Sequence, residues 1–249
     1  MPLPADYAFT FMLLVVASIY EYVVFWPQFR AAIAAGRPDA RRQGYRRGIT
    51  GQWLFATSAL VIWAVYDRPA ALLRLTLPGG WRLVVAIGVV LLAIGLLCLQ
   101  LLSVARLSPE RRVKARPKLG NVAFMLPQTA GEERWFVALS LTAGFCEELL
   151  YRGYLPWFFA PWLGQVGAMA AVVLAFGLSH LYQGRKGAIR ATLAGAVMAA
   201  IALITGSLIP GMIAHALIDI GGGTVGYWLL REQPTLSSSF SNSAPAMSS

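Results

Sequence analysis

Apolar residues run along this chain in seven long blocks, at about 7–26, 49–66, 81–102, 134–157, 161–181, 187–206 and 208–230, separated by short polar stretches. A bilayer core needs roughly 20 consecutive helical residues to cross it, and each block meets that length within a few residues. The runs are continuous rather than alternating. A barrel strand would alternate lipid-facing and lumen-facing residues, so the blocks predict helices. The pattern therefore predicts an all-α fold, a polytopic transmembrane helix bundle of about seven spans.

Composition supports that reading. The chain of 249 residues is 57% hydrophobic and 13% charged, with mean hydropathy +0.61. A soluble domain averages about 25% charged residues. The formal net charge of +10 would suggest nucleic acid in a soluble protein. Here the basic residues gather between apolar blocks, where they serve orientation and anionic headgroups, so no nucleic-acid partner is expected. Cys98 and Cys146 lie in separate apolar blocks and offer neither a disulfide framework nor a CxxC metal pair. The N-terminus lacks a basic flank and a small-residue cleavage site, so Tyr7 to Trp26 is expected to be a retained first span.

The basic residues alternate by connection. Arg30, Arg37, Arg41, Arg42, Arg46 and Arg47 fall at 27–48; Arg106, Arg111, Arg112, Lys114, Arg116 and Lys118 fall at 103–133; Arg185 and Lys186 fall at 182–186. The intervening connections hold only Arg68 and Arg74. The excess of cytoplasmic Lys and Arg then places the N-terminus outside and the C-terminus in the cytoplasm, with a bacterial plasma membrane as the expected host. Three regions follow: a three-span region with basic loops at 1–118, a helix bundle at 119–231, and a Ser-rich tail at 232–249 expected to be disordered. A short interfacial helix is expected near Leu119–Leu126, stopped by Pro127.

Within this apolar frame the ionisable residues stand out. Glu147 and Glu148 adjoin in the fourth block, and a carboxylate in hydrocarbon costs several kcal/mol unless paired, hydrated or neutralised. Glu148 and Arg152 are four apart with the acid first, the favourable order for a helical ion pair, which reads as structural support. Glu147 points about 100° away and has no basic partner at i+3 or i+4, so it needs a hydrated cavity or another helix. His180 closes the fifth block, and His215 and Asp219 share one face of the seventh. Alone, the last two would be a buried pair holding the bundle. With the glutamates they form a set suited to hydrolysis: Glu147 and His180 to hold and deprotonate a water, His215 and Asp219 to stabilise an oxyanion. No GxSxG or HExxH pattern is present.

At these residues the chain resembles the CPBP family of intramembrane endopeptidases, which includes the CAAX prenyl proteases and lysostaphin-resistance and bacteriocin-processing-type proteins. The family pattern is EExxxR, FxxxH, then HxxxN or HxxxD. This chain carries Glu147-Glu148-Leu149-Leu150-Tyr151-Arg152, Phe176 to His180, and His215 to Asp219, in that order. The likeness spans about 120–225. It implies an intramembrane endopeptidase of the glutamate type without a cofactor, with Glu147 and His180 activating water, His215 as oxyanion donor, and Glu148 and Arg152 in support. The prenyl-protease branch has Asn at the position of Asp219, so prenylated specificity does not transfer with the motif. The expected partners are the lipid bilayer and a membrane-associated peptide or protein, lipid-modified substrates included. Two alternatives stay open at this point: a zinc metallohydrolase using Glu147, His180 and His215, and a non-enzymatic transporter, immunity factor or scaffold of the same fold.

Overall fold

The computed structural model describes residues 1–231 of the 249. The expected disordered tail at 232–249 lies outside them. Among the described residues the architecture is helical without strands, and seven helices make it up. They are α1 (Pro4–Ala34), α2 (Ala40–Val65), α3 (Trp81–Ala105), the short α4 (Pro109–Ala115), α5 (Ala130–Ser179), α6 (Arg185–Thr205) and α7 (Ile209–Leu230). Helices α1, α2, α3, α5 and α6 are long and apolar enough to cross a membrane. The expected spans map onto these directly, with the fourth and fifth both inside α5. The seventh corresponds to α7, whose apolar character is diluted by His215, Asp219 and its glycines.

Three boundaries differ from the sequence pattern. Helix α2 begins at Ala40, so Arg41, Arg42, Arg46 and Arg47 stand on helix rather than loop. Arginine is a good helix former, and its long stem lets the guanidinium reach outward from an otherwise apolar element. Between α4 and α5 the chain forms a 3₁₀ segment, Arg116–Met125, broken at Gly120, where the interfacial helix was expected. The fourth and fifth spans are joined by no polar loop. They form one 50-residue helical run that turns at Gly164, whose φ of 65° and ψ of 171° leave the helical region. Glycine tolerates that conformation without a Cβ clash.

Local chemistry sets the start of α5. The Thr129 hydroxyl accepts from the Glu132 amide at 3.2 Å, and the Glu132 carboxylate accepts from the Thr129 amide at 3.2 Å. This reciprocal cap satisfies amides that the first turn would otherwise leave free. The main core gathers Phe9 and Leu13 from α1, Ala56, Ala59 and Trp63 from α2, Leu73, and Cys146, Leu149, Leu150, Tyr154, Leu155 and Val172 from α5. It draws on both halves of the chain. Cys146 is fully buried there, as a packing residue.

Helices α5 and α7 run closely together. A Cβ at Gly144 would lie 2.7 Å from the Met212 carbonyl oxygen and 2.8 Å from the Ala216 Cβ, so the two backbones touch only because residue 144 has no side chain. Gly195 of α6 plays the same part. A Cβ there would lie 2.9 Å from an Arg152 guanidinium nitrogen and 3.0 Å from the Phe176 ring. The bare flank of Gly195 thereby admits Arg152, a residue of the EExxxR motif, against α6.

Candidate active site

The two glutamates stand at the last two positions of a regular α-helical stretch, Ala130–Glu148, before the π-helical turn Leu149–Tyr154. Such π turns recur where a helix must re-aim side chains. Their environments differ sharply. Glu148 is fully buried and Glu147 is 18% exposed at its side chain. The Glu148 Oε1 atom receives two contacts: Arg152 Nη1 at 3.1 Å and the His215 Nδ1–H, which donates to it at 2.8 Å. Arg152, itself buried, lies flat over the Phe176 ring at 4.2 Å. The guanidinium is thus neutralised by Glu148, faced by an aromatic π cloud, and admitted by Gly195.

His215 links both glutamates. Its Nδ1 is taken by Glu148, so the ring presents only Nε2 to the open side. That nitrogen lies 3.8 Å from Glu147 Oε2 and 3.6 Å from Asp219 Oδ2. Both distances exceed a normal hydrogen bond and leave room for a reacting oxygen to be shared. The i,i+4 spacing of His215 and Asp219 on α7 brings them together as the sequence predicts, and Asp219 is the more exposed, at 40%.

His180 reaches the site through the hairpin in α5. Tyr151 packs edge-on against Phe176 with ring centroids 5.1 Å apart, and Arg152 covers the same ring. Residues 151–152 and 176 are therefore opposite each other across the turn at Gly164. His180 follows four residues on along the same arm, with its ring centroid 4.5 Å from that of Phe176. The second arm of α5 thus carries His180 to the ring that Arg152 covers. The His180 Nδ1–H donates to the Phe176 carbonyl at 2.8 Å, so its Nε2 is the free nitrogen. The Phe176 ring lies between the two histidines, with centroids 4.5 Å from His180 and 6.4 Å from His215.

The arrangement thus gathers Glu147, Glu148, Arg152, His180, His215 and Asp219 about one aromatic ring. It divides them by access. Glu148 and Arg152 are sealed; Glu147, His180, His215 and Asp219 keep an open edge. Glu147 and His180 do not touch directly among the described contacts. The partner of Glu147 is instead Gln52 on α2, whose Nε2–H donates to Glu147 Oε1 at 2.9 Å. Sequence reasoning missed Gln52, although an amide inside the apolar stretch of α2 is itself a signal of a polar neighbour on another helix. A neutral amide in an apolar span is less costly than a charge and so stands out less. Among the described residues, no three His, Cys, Asp or Glu side chains are disposed around a common metal position.

Residues 131–221 match the protein family described as Type II CAAX prenyl endopeptidase Rce1-like, which bears out the resemblance carried by the three motifs. No curated protein and no solved structure matches the chain.

Proposed function

We propose, from the premise that residues 131–221 are a segment of the Rce1-like family of CAAX-type intramembrane proteases, that this integral membrane protein hydrolyses a peptide bond in a membrane-associated peptide or protein, using Glu147 as general base. The observation that carries this reading is the split in access between the neighbouring glutamates: Glu148 is sealed and paired with Arg152, whereas Glu147 keeps a partly exposed edge and has no guanidinium bonded to it. A general base must reach a water, and a carboxylate locked to a guanidinium cannot.

The chemistry follows from the free atoms. Glu147, together with the free His180 Nε2, orients a water and accepts one of its protons as the oxygen attacks the peptide carbonyl. The oxyanion that forms is stabilised by the His215 Nε2–H, with Asp219 in its protonated form as a second donor. Donation from Nε2 requires the ring to carry both protons, a charge that Glu147 and Glu148 flank. The C–N bond then breaks as Glu147 returns its proton to the leaving nitrogen. Glu148 and Arg152 act through position alone, holding the His215 Nδ1 and the Phe176 ring. No metal is required by these steps.

The deciding experiment uses purified full-length protein in lipid, challenged with prenylated and unmodified membrane-anchored peptides. Wild type and Glu147→Gln are compared, each with and without chelator. Cleavage by wild type alone, indifferent to chelator, is the expected result. Cleavage lost together with bound metal would overturn the metal-free route, and a Glu147→Gln protein as active as wild type would remove Glu147 from the chemistry. Absence of any cleavage, in a protein that retains its cellular effect with Glu147→Gln, would favour the scaffold or immunity role.

A further inference from the structure

Gln52 makes one hydrogen bond too few. Its Nε2–H donates to Glu147 Oε1 at 2.9 Å, while its own Oε1 is buried with no hydrogen-bond partner among the described residues. A buried amide oxygen left unsatisfied costs about 1–3 kcal/mol. The position is enforced by its surroundings. Trp53, the next residue on α2, donates its indole N–H to the Thr142 hydroxyl at 3.3 Å and stacks on Phe145, with centroids 5.3 Å apart. Helix α2 is therefore held in register on the helical turns that lead into Glu147, and the amide cannot drift from the carboxylate without breaking those contacts.

We propose that Gln52 is a positioning residue for the attacking water. Its amide nitrogen fixes the Glu147 carboxylate, and its unpaired oxygen accepts a hydrogen bond from the O–H that the water keeps. A water attacking a carbonyl has two O–H bonds. One delivers its proton to the base, and the other needs an acceptor if the lone pair is to point at the carbon. In the vicinity of Glu147, the Gln52 Oε1 is a buried acceptor tied by its own amide to that carboxylate. This role rests on the general-base reading of Glu147. It adds a residue outside the EExxxR, FxxxH and HxxxD motifs, and it brings a helix from the N-terminal region into the chemistry.

The test is Gln52→Met, which keeps the side-chain length and removes both the donor and the acceptor. Against a cleaved peptide, kcat is expected to fall about 100-fold, the scale of a misplaced reacting group, with KM changed less than about twofold and with the melting temperature in detergent nearly unchanged. A loss confined to KM, or an unchanged kcat, would overturn the proposal. A second readout does not depend on turnover. The infrared carboxyl band that vanishes in Glu147→Gln is assigned to Glu147, and it is expected to shift in Gln52→Met. An unmoved band would overturn the contact itself. If wild type cleaves nothing in the panel, the peptidase reading and the water-holding role fall together, whereas the band still decides whether Gln52 holds Glu147. A Gln52→Met protein that does not fold is replaced by Gln52→Leu in the same two measurements.

Discussion

Two of the buried charged groups among the described residues are built to opposite rules. In the first, Asp6 of α1 is fully enclosed. It receives both guanidinium arms of Arg68, at 2.8 and 2.6 Å, the Tyr154 hydroxyl at 2.7 Å and the Leu3 amide at 2.7 Å. Arg68 is further covered by the rings of Trp157 at 4.5 Å and Tyr66 at 4.7 Å. Its hydrogen bonds to Asp6 hold the guanidinium above its ordinary pKa. Both carboxylate oxygens are satisfied in this group. The second group is that of Glu147, Glu148, Arg152 and His215. There Glu148 Oε2, both terminal nitrogens of Arg152 and the Gln52 oxygen are buried without a well-aligned hydrogen bond among the described residues. A cluster whose purpose is to fasten helices saturates its polar atoms. The second cluster leaves buried polar atoms unsatisfied, and stability is lower for it.

That contrast is open to attack by substitution. The largest effect is expected for Glu147→Gln, which should lower kcat by about 100- to 10,000-fold, the range for a lost general base, while thermal melting stays near wild type. Arg152→Met comes next. It leaves Glu148 buried without its cation, at a cost of about 3–5 kcal/mol, read as a lower melting temperature and as activity that fails along with the fold. Asp6→Ala should cost about 3 kcal/mol by stranding Arg68, yet kcat per folded molecule should match wild type; a specific loss of kcat would merge the two clusters into one functional unit. Tyr154→Phe removes a single hydrogen bond and should cost about 1 kcal/mol in stability, the smallest of the set, with turnover again unaffected.

Much of the site was legible because its residues announce themselves locally. Glu148 and Arg152, and likewise His215 and Asp219, sit one helical turn apart, and helix geometry alone brings each pair together. The all-α class was legible because lipid demands long apolar runs. What escaped was set by contacts between distant parts of the chain. Asp6 and Arg68 are 62 positions apart, and Gln52 and Glu147 are 95 apart; no periodicity links either pair. The depth of His180 was hidden for another reason. The turn lies at Gly164 rather than near 158–160, because Pro156 and Pro161 are both accommodated within helix and only the glycine adopts the left-handed φ. A shift of a few residues in that turn decides which residues of the first arm Phe176 and His180 face.

The bare flank of Gly144 has a mechanical consequence. With the backbones of α5 and α7 in contact there, the wall bearing Glu147 and Glu148 and the wall bearing His215 and Asp219 behave as a single jaw, clamped one turn from the reacting groups. Under the proposed mechanism, both halves of the chemistry would then move together in any opening that admitted a polypeptide.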